Sequence, residues 1–156
     1  MDEWIRSEQA KDLGTELHLY AQLAIKNRIK QRGTKQTLNA FINDAIGYQM
    51  SPEVVLFYSY YCFGTADAIG FKNNKLRIHD LKTGLKIKAS MDQLKIYAAL
   101  FCLEYDYNPH DIEIELRIYQ FDEVRVEIGD PDEIEHIMDV IVNFDKRIIE
   151  LKREEP

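Results

Sequence analysis

The sequence predicts a single α/β domain of the α+β kind over residues 1–156, with a mixed central sheet flanked by helices. Three observations predict it. Segments with apolar residues every three or four positions lie at both ends of the chain and once in the middle, which is typical of helices. Segments rich in β-branched and aromatic residues, bounded by Asn, Gly and Pro, lie between them and predict five strands. A content of 46% hydrophobic and 30% charged residues suits one globular core.

Two helices are predicted in the N-terminal third. Apolar residues at helical spacing indicate a first helix from about Asp2 to Arg32, and Gly33 is a typical helix stop. Thr34 then caps a second helix over Lys35–Tyr48.

The densest basic run of the chain falls where the first helix ends, and it comprises Lys26, Arg28, Lys30, Arg32 and Lys35. Two interpretations remain open. The run is either a solvated helix end, whose cations interact favourably with the helix dipole, or a grip on a nucleic-acid backbone.

Three strands follow Ser51-Pro52. The first spans Glu53–Tyr61, and the next two, Gly64–Phe71 and Lys75–Lys82, are joined by a tight turn at Asn73-Asn74. Asn tolerates the positive φ that such turns demand, so this segment predicts an antiparallel hairpin.

That hairpin brings the end of the third strand alongside the start of the second. Asp80 and Lys82 then lie next to Asp67, and because side chains alternate along a strand, Leu81 points to the opposite, core-facing side. An Asp-x-Lys strand is usually a solvated ion-pair face. A second carboxylate on the neighbouring strand instead favours a site for a hard divalent cation, Mg²⁺ or Mn²⁺.

The remaining elements are a helix, two strands and a helix. Ser90 is a candidate N-cap of the third helix, which runs to about Tyr105 with Gln93 in the capping-box position. Residues 111–120 alternate so that apolar side chains point inward and acids outward, and residues 124–128 predict an edge strand. Asp130 and Pro131 open the last helix.

Four short motifs occur in order: Gly14 to His18 (G-x-x-x-H), Gly64 to Asp67 (G-x-x-D), Asp80 to Lys82 (D-L-K) and Gln93 to Tyr97 (Q-x-x-x-Y). Each is weak alone. The ordered set resembles the PD-(D/E)XK nuclease superfamily, and more narrowly its RecB-type and phage exonuclease branch. The predicted order of elements, stripped of extras, is also the αβββαβ core order of that superfamily.

The resemblance implies a metal-dependent DNA nuclease, a phosphodiester hydrolase acting as an exonuclease in phage or prophage DNA recombination or processing. It implies catalytic roles for Asp67, Asp80 and Lys82, with Mg²⁺ or Mn²⁺ held by Asp67, Asp80, the Leu81 carbonyl and His18. The alternatives are a catalytically silent DNA- or protein-binding module of the same fold, and an endonuclease.

Substrate-binding roles are expected for Gln93, Tyr97, Lys86 and Lys88. The two lysines follow Lys82 closely and either contact phosphates or belong to a short strand with an exposed face. Glu53 is either a further group near the metal or only the start of a surface strand. The alternative to a metal-ligand role for His18 is that of a hydrogen-bonded core histidine. Its small neighbours Gly14 and Ala21 leave room for an ion.

Charge and hydropathy limit the classes of protein and the cellular locations that we expect. A net charge of −7 argues against a protein that coats DNA by charge alone, but not against a nuclease with an acidic metal site. No apolar run approaches the roughly 20 residues that span a bilayer, and the polar N-terminus predicts no signal peptide. We therefore expect a cytoplasmic protein of a bacterial host or phage-infected cell. Its expected partner is DNA rather than a membrane, with a homo-oligomer or a recombination partner protein as further possibilities.

Overall fold

The structure, a computed structural model, describes residues 3–33, 36–84 and 87–155, and for residues 3–12 the backbone alone. The elements in chain order are α1 (Glu3–Lys26), α2 (Thr37–Gly47), β1 (Ser51–Ser59), β2 (Cys62–Lys72), β3 (Lys75–Leu81), α3 (Asp92–Tyr105), β4 (Glu113–Gln120), β5 (Glu123–Ile128) and α4 (Pro131–Glu154). A single 3₁₀ turn, Pro109–Asp111, precedes β4. The predicted order of helices and strands is confirmed.

The five strands form one mixed sheet in the order β1-β2-β3-β4-β5. All neighbours are antiparallel except β3 and β4, which are parallel because α3 carries the chain back across the sheet between them. Asn73 and Asn74 adopt φ values of 53° and 60°, which confirms the predicted hairpin turn. At the β1 edge, the Phe57 N–H donates to Glu104 Oε1 of α3 at 2.6 Å.

Helices cover both faces of the sheet. One core cluster joins α3 and α4 to side chains such as Leu76 and Ile78 of β3. The other joins α1 and α2 to Leu81 and to Tyr119 of β4. Leu81 is therefore buried on the opposite face from its neighbour Asp80, as the alternation along the strand predicts. Among the described residues, no helix has the length and apolarity needed to cross a membrane.

The first helix is shorter than predicted, because it ends at Lys26 rather than Arg32. Arg28 adopts a left-handed φ of 57°, and its N–H donates to the Ile25 carbonyl at 3.1 Å while the Ile29 N–H donates to Ala24 at 2.8 Å. This pair of bonds is a Schellman closure that usually ends on glycine. Thr34 and Lys35, the predicted cap and start of the second helix, lie outside the described residues.

The start of α3 also differs from the prediction. The helix begins at Asp92 after Met91, and Ser90 does not cap it in the predicted way. Ser90 Oγ instead accepts a hydrogen bond from the Asp92 N–H at 3.1 Å. Asp130 does cap α4 as predicted, accepting from the Asp132 N–H at 3.0 Å.

The prediction that the acids of β4 point to solvent is wrong for Glu115, which is only 5% exposed. The strand is central, so both of its faces are covered. Glu115 accepts hydrogen bonds from Arg77 Nη1 at 2.6 Å and from Arg117 Nε at 2.7 Å. On the same side of the sheet, the Tyr119 hydroxyl donates to Asp44 of α2 at 2.7 Å.

Candidate active site

Asp67 lies where the regular β2–β3 ladder stops. The last paired residues are Ala68 and His79, and beyond them Asp67 Oδ2 accepts the Leu81 backbone N–H at 2.8 Å. Ala66 packs with the α3-side core and Ala68 with the α1-side core, although residues two apart on a regular strand share a face. The pleat therefore slips at Asp67, and its carboxylate lies between the two strands, within reach of groups from both faces.

Asp80 and Lys82 meet on the α3 side of this break. Lys82 Nζ lies 3.0 Å from Asp80 Oδ2 and donates to Gln93 Oε1 at 3.2 Å. Asp80 is only 4% exposed, and its Oδ2 accepts no hydrogen bond of good geometry from any described residue. The structure thus brings Asp67, Asp80 and Lys82 to one spot, where a buried carboxylate oxygen is paired with an ammonium group but lacks a well-formed hydrogen bond.

The two carboxyl groups differ in acidity. Burial, followed by the negative charge of Asp67, raises the pKa of Asp80 to about 7. Burial also disfavours the charged form of Asp67. The hydrogen bonds from His18 and the Leu81 N–H outweigh it and hold the pKa of Asp67 below its usual range. Near neutral pH, Asp67 is therefore the ionised partner and Asp80 retains a proton part of the time.

His18 faces two carbonyl oxygens. Its Nδ1 lies 2.7 Å from the Gly14 oxygen and its Nε2 lies 2.7 Å from the Leu81 oxygen. A carbonyl oxygen only accepts, so both ring nitrogens donate and the ring is an imidazolium. The hydrogen bond with Asp67, whose Oδ2 lies 3.5 Å from Nε2, is the largest reason that the pKa of His18 rises to about 9.

Three of the predicted ligand atoms consequently converge: His18 Nε2, the Leu81 carbonyl oxygen and Asp67 Oδ2. A proton on His18 holds them together here. Because metal ligands must be deprotonated, a divalent cation at this place would compete with that proton.

Two glycines of the motifs make room for side chains rather than for an ion. A Cβ added to Gly14 would lie 2.8 Å from Thr83 Oγ1, so the space expected to admit an ion beside His18 is filled by Thr83. A Cβ added to Gly64 would lie 2.5 Å from Tyr97 Cε1. Sequence reasoning missed both contacts, although glycine inside a strand is a known sign of close approach.

Gln93 and Tyr97 lie on the face of α3 that borders the site, one turn apart as predicted. Tyr97 is 8% exposed, and burial followed by the charges of Asp80 and Asp67 raises the pKa of its hydroxyl to about 12. Its ring therefore belongs to the core, while its hydroxyl lies close enough to feel both acids. Gln93 is exposed and contacts Lys82 and Tyr97 rather than capping the helix.

Glu53 adds a third carboxyl group to this region. Its neighbours Pro52 and Val54 pair with Ala68 and Ala66, so it stands opposite Asp67. Burial and then the charge of Asp67 raise the pKa of Glu53, whereas the charge of His18 lowers it. Its φ of 50° is unusual for a strand, and such backbone strain is concentrated at functional sites.

The substrate-binding roles of the two lysines after Lys82 remain predictions. Lys86 lies outside the described residues. Lys88 is exposed, and the backbone beside it is held by Gln120 of β4, which donates to the Ile87 carbonyl at 2.9 Å and accepts from the Ala89 N–H at 2.9 Å.

The residues present fit a divalent cation. Burial and the charge of Asp67 disfavour the ionised form of Asp80 even with Lys82 Nζ at 3.0 Å, so further positive charge would be stabilised here. The ligand atoms around this place are carboxylate oxygens, a carbonyl oxygen and an imidazole nitrogen. Such a set suits Mg²⁺, or Mn²⁺ where the imidazole takes part. Among the described residues, three His, Cys, Asp or Glu ligand atoms lie within 4.8 Å of one another only at His110, Asp132 and Glu135 and not at His18, Asp67 and Asp80. All three residues of that group are exposed, and His110 is paired with Glu135 at 2.8 Å.

Comparison with known proteins identifies one family. Its model, described as a protein of unknown function (DUF2800), matches residues 55–152. The match includes Asp67, Asp80 and Lys82 and begins after His18 and Glu53. Neither a curated protein nor a solved structure matches the chain. Because the matched segment covers well over half of the 156 residues, the chain belongs to the DUF2800 family.

Proposed function

We propose that this protein is a divalent-metal-dependent deoxyribonuclease with a PD-(D/E)XK-type site, acting as an exonuclease in phage or prophage DNA recombination or processing. One observation carries the proposal. The carboxyl groups of Asp67 and of the buried Asp80 meet Lys82 at the end of β3, where Asp80 Oδ2 lies 3.0 Å from the Lys82 ammonium but accepts no hydrogen bond of good geometry from the described residues. Burial and the neighbouring charge of Asp67 make Asp80 costly to ionise even beside Lys82, so a divalent cation would stabilise the two carboxylates together.

The fold supports the same assignment. The described elements contain an αβββαβ order, with the two acids on adjacent antiparallel strands and Lys82 two residues after the second acid. On the next helix, Gln93 accepts a hydrogen bond from that lysine, and burial followed by the charges of the two acids raises the pKa of the Tyr97 hydroxyl. The four motifs that resemble the nuclease superfamily thus meet at one end of the sheet.

In this proposal Asp67 and Asp80 hold the cation, with the Leu81 carbonyl and, once deprotonated, His18 as further donors. A bound divalent cation lowers the pKa of a coordinated water and polarises a phosphate oxygen. Asp67 is already ionised, whereas Asp80 and His18 each release a proton before they bind, because the pKa values of both are raised.

Lys82 positions the reacting groups. Its ammonium is held between Asp80 Oδ2 and Gln93 Oε1, so it presents its remaining donor to a water or to a phosphate oxygen. An ammonium at this place stabilises negative charge that develops during attack on phosphorus. Gln93 orients Lys82, and the Tyr97 hydroxyl borders the same space.

The test is incubation of the purified protein with end-labelled linear DNA and with closed circular DNA, in Mg²⁺, in Mn²⁺ or in chelator. We expect metal-dependent loss of label from linear DNA and no cutting of the circle. Asp80→Ala should abolish the activity. Cutting of circles would make the protein an endonuclease, and intact DNA under every condition would favour a silent binding module.

This activity would place the protein in the cytoplasm, with DNA as its partner. A second copy of the chain or a recombination protein would be a further partner, and sedimentation during the assay would detect either.

A further inference from the structure

The distribution of charge along the chain is strongly uneven. The protein carries a net charge of −7, yet no aspartate or glutamate lies between Glu16 and Asp44. Within that interval the chain places all five cations of the basic run. Residues 26–33, called the basic loop below, comprise the last residue of α1 and the first part of the connection to α2, and in them Lys26, Arg28, Lys30 and Arg32 are exposed.

Uncharged side chains hold the basic loop in shape. The Gln31 N–H donates to Asn43 Oδ1 at 2.7 Å, and Asn43 Nδ2 donates back to the Gln31 carbonyl at 2.9 Å. Asn39 Nδ2 donates to the Arg32 carbonyl at 3.1 Å, and the Tyr20 hydroxyl donates to Gln31 Oε1 at 2.7 Å. Uncharged side chains thus form the hydrogen bonds that carboxylates often form beside a basic segment. The described side chains that hold the loop therefore do not neutralise its positive charge.

The described residues form no ion pair with the cations of this loop. Several lysines and arginines elsewhere do have acidic partners, for example Arg147 with Glu150 at 3.5 Å and Lys152 with Glu155 at 3.8 Å. The helix dipole accounts for Lys26, which lies in the last turn of α1, but its effect fades beyond that turn. Lys30 and Arg32 therefore need another explanation.

The position of the loop relative to the candidate active site supplies one. His18 and Lys26 lie on the same helix, eight residues apart, which is about 12 Å at the rise of an α-helix. A duplex advances about 3.4 Å per phosphate along each strand. The distance therefore corresponds to roughly three to four base pairs from a phosphodiester at the site.

We propose that the basic loop is a DNA-backbone contact, in which Lys26, Lys30 and Arg32 bind phosphates a few nucleotides from the bond that is cut. The inference rests on the proposed function and names the surface that supplies its affinity. Contacts of this kind position a substrate without reading its sequence. Arg28 plays a different part, because it adopts the left-handed φ that ends α1 and its Nη1 donates to the Met50 carbonyl at 3.4 Å.

The test compares two triple variants with the same loss of charge. The first is Lys26→Gln, Lys30→Gln and Arg32→Gln. The matched control is Lys146→Gln, Arg147→Gln and Lys152→Gln, which removes three exposed cations of α4. Urea unfolding should show that both fold as the wild type does. Binding of a labelled linear duplex is measured in chelator, where no cleavage occurs, from 50 to 300 mM salt.

We expect the loop variant to bind about a hundredfold more weakly at the lower salt concentrations, and the slope of log affinity against log salt to shrink by about 2 to 3. The control should change neither quantity by more than a small fraction of this. An unchanged slope in the loop variant, or an equal change in the control, would overturn the inference.

Two further outcomes separate this inference from the proposed nuclease activity. Wild-type protein that binds DNA through the loop but never cuts it would refute the nuclease and keep the surface. Wild-type protein that cuts DNA, with a salt slope that is unchanged in the loop variant, would support the nuclease and refute the surface.

A competition experiment uses polyglutamate of matched charge against the labelled duplex. If polyglutamate displaces DNA at equal charge concentration, the loop is a surface for acidic polypeptides and its assignment to DNA is wrong.

Discussion

Two clusters of buried polar groups lie on opposite faces of the same central strands, and they are satisfied to different degrees. On the α2 side, Glu115 accepts from Arg77 and Arg117, and its Oε1 lies 3.5 Å from His79 Nε2. On the α3 side, Asp80 Oδ2 lies 3.0 Å from Lys82 Nζ and accepts no well-formed hydrogen bond from the described residues.

The acidity of the two carboxyl groups follows this difference. The hydrogen bond with His79, reinforced by those from Arg117 and Arg77, overcomes burial and holds the pKa of Glu115 well below its usual range. Burial without such donors raises the pKa of Asp80 to about 7. A buried acid that is saturated with donors stabilises the fold, whereas one that is left short of donors is available to a ligand. Burial alone does not distinguish them.

The largest expected effect is on catalysis. Lys82→Met should lower DNA cleavage by about 10²- to 10³-fold, because it removes a donor aimed at developing charge. Thermal stabilisation by Mn²⁺ should persist in this variant and vanish in Asp80→Asn, since Asp80, unlike Lys82, is a proposed ligand of the cation. Initial rates and melting curves with and without Mn²⁺ check both. Full activity of Lys82→Met would remove the lysine from the proposed mechanism.

The saturated cluster should respond in stability instead. Glu115→Gln leaves Arg77 and Arg117 without their shared partner, so we expect the free energy of unfolding to fall by about 3 kcal/mol. Urea denaturation measures it. Asp80→Asn is the matched variant at the other cluster, and its metal-free protein should be no less stable than the wild type. Equal destabilisation by both changes would erase the contrast between the clusters.

Acidity gives a third way to separate the clusters. In metal-free protein the folded-state pKa of Asp80 is raised from its ordinary value of 3.8 to about 7, so the unfolded chain releases this proton first. The stability contributed by Asp80 is therefore complete below pH 4 and is lost as the pH rises from 4 to 7. The wild type should lose on the order of 3 kcal/mol relative to Asp80→Asn across this window. Parallel stability curves for the two proteins would contradict the raised pKa.

The smallest effect concerns the packing that supports the site. Gly64→Ala places a methyl group against the Tyr97 ring, and we expect a loss of about 1 to 2 kcal/mol in unfolding free energy. Gly84→Ala is the control, because a Cβ there meets nothing within 4 Å. In a double-mutant cycle with Tyr97→Ala, the Gly64→Ala penalty should disappear. A penalty that persists without the ring would place the strain elsewhere.

Local signals explain what the sequence could predict. Neighbouring residues determine the Asn73-Asn74 turn, the period of the strands and the Asp130-Pro131 helix start. The turn and the period of the strands suffice to bring Asp67 beside Asp80 and Lys82. The end of α1 was missed because Arg28, a non-glycine residue, adopts the left-handed conformation. The burial of Glu115 was missed because its partner Arg77 lies on a different strand.

The details of the site were beyond local signals for the same reason. The slip of the pleat at Asp67 needs three strands to be in place, and the imidazolium form of His18 depends on carbonyl groups of Gly14 and Leu81, which lie far apart in sequence. The residue types were readable in the sequence, but their protonation was not.

The bond from the Phe57 N–H to Glu104 has a consequence for how copies of this chain meet. An edge strand normally offers its free amides as a template on which another strand can add, which is the usual route to aggregation. A carboxylate from α3 already occupies the amide of Phe57 on β1. An incoming strand would have to displace this charged acceptor with a neutral carbonyl. Sheet extension is therefore disfavoured at this point.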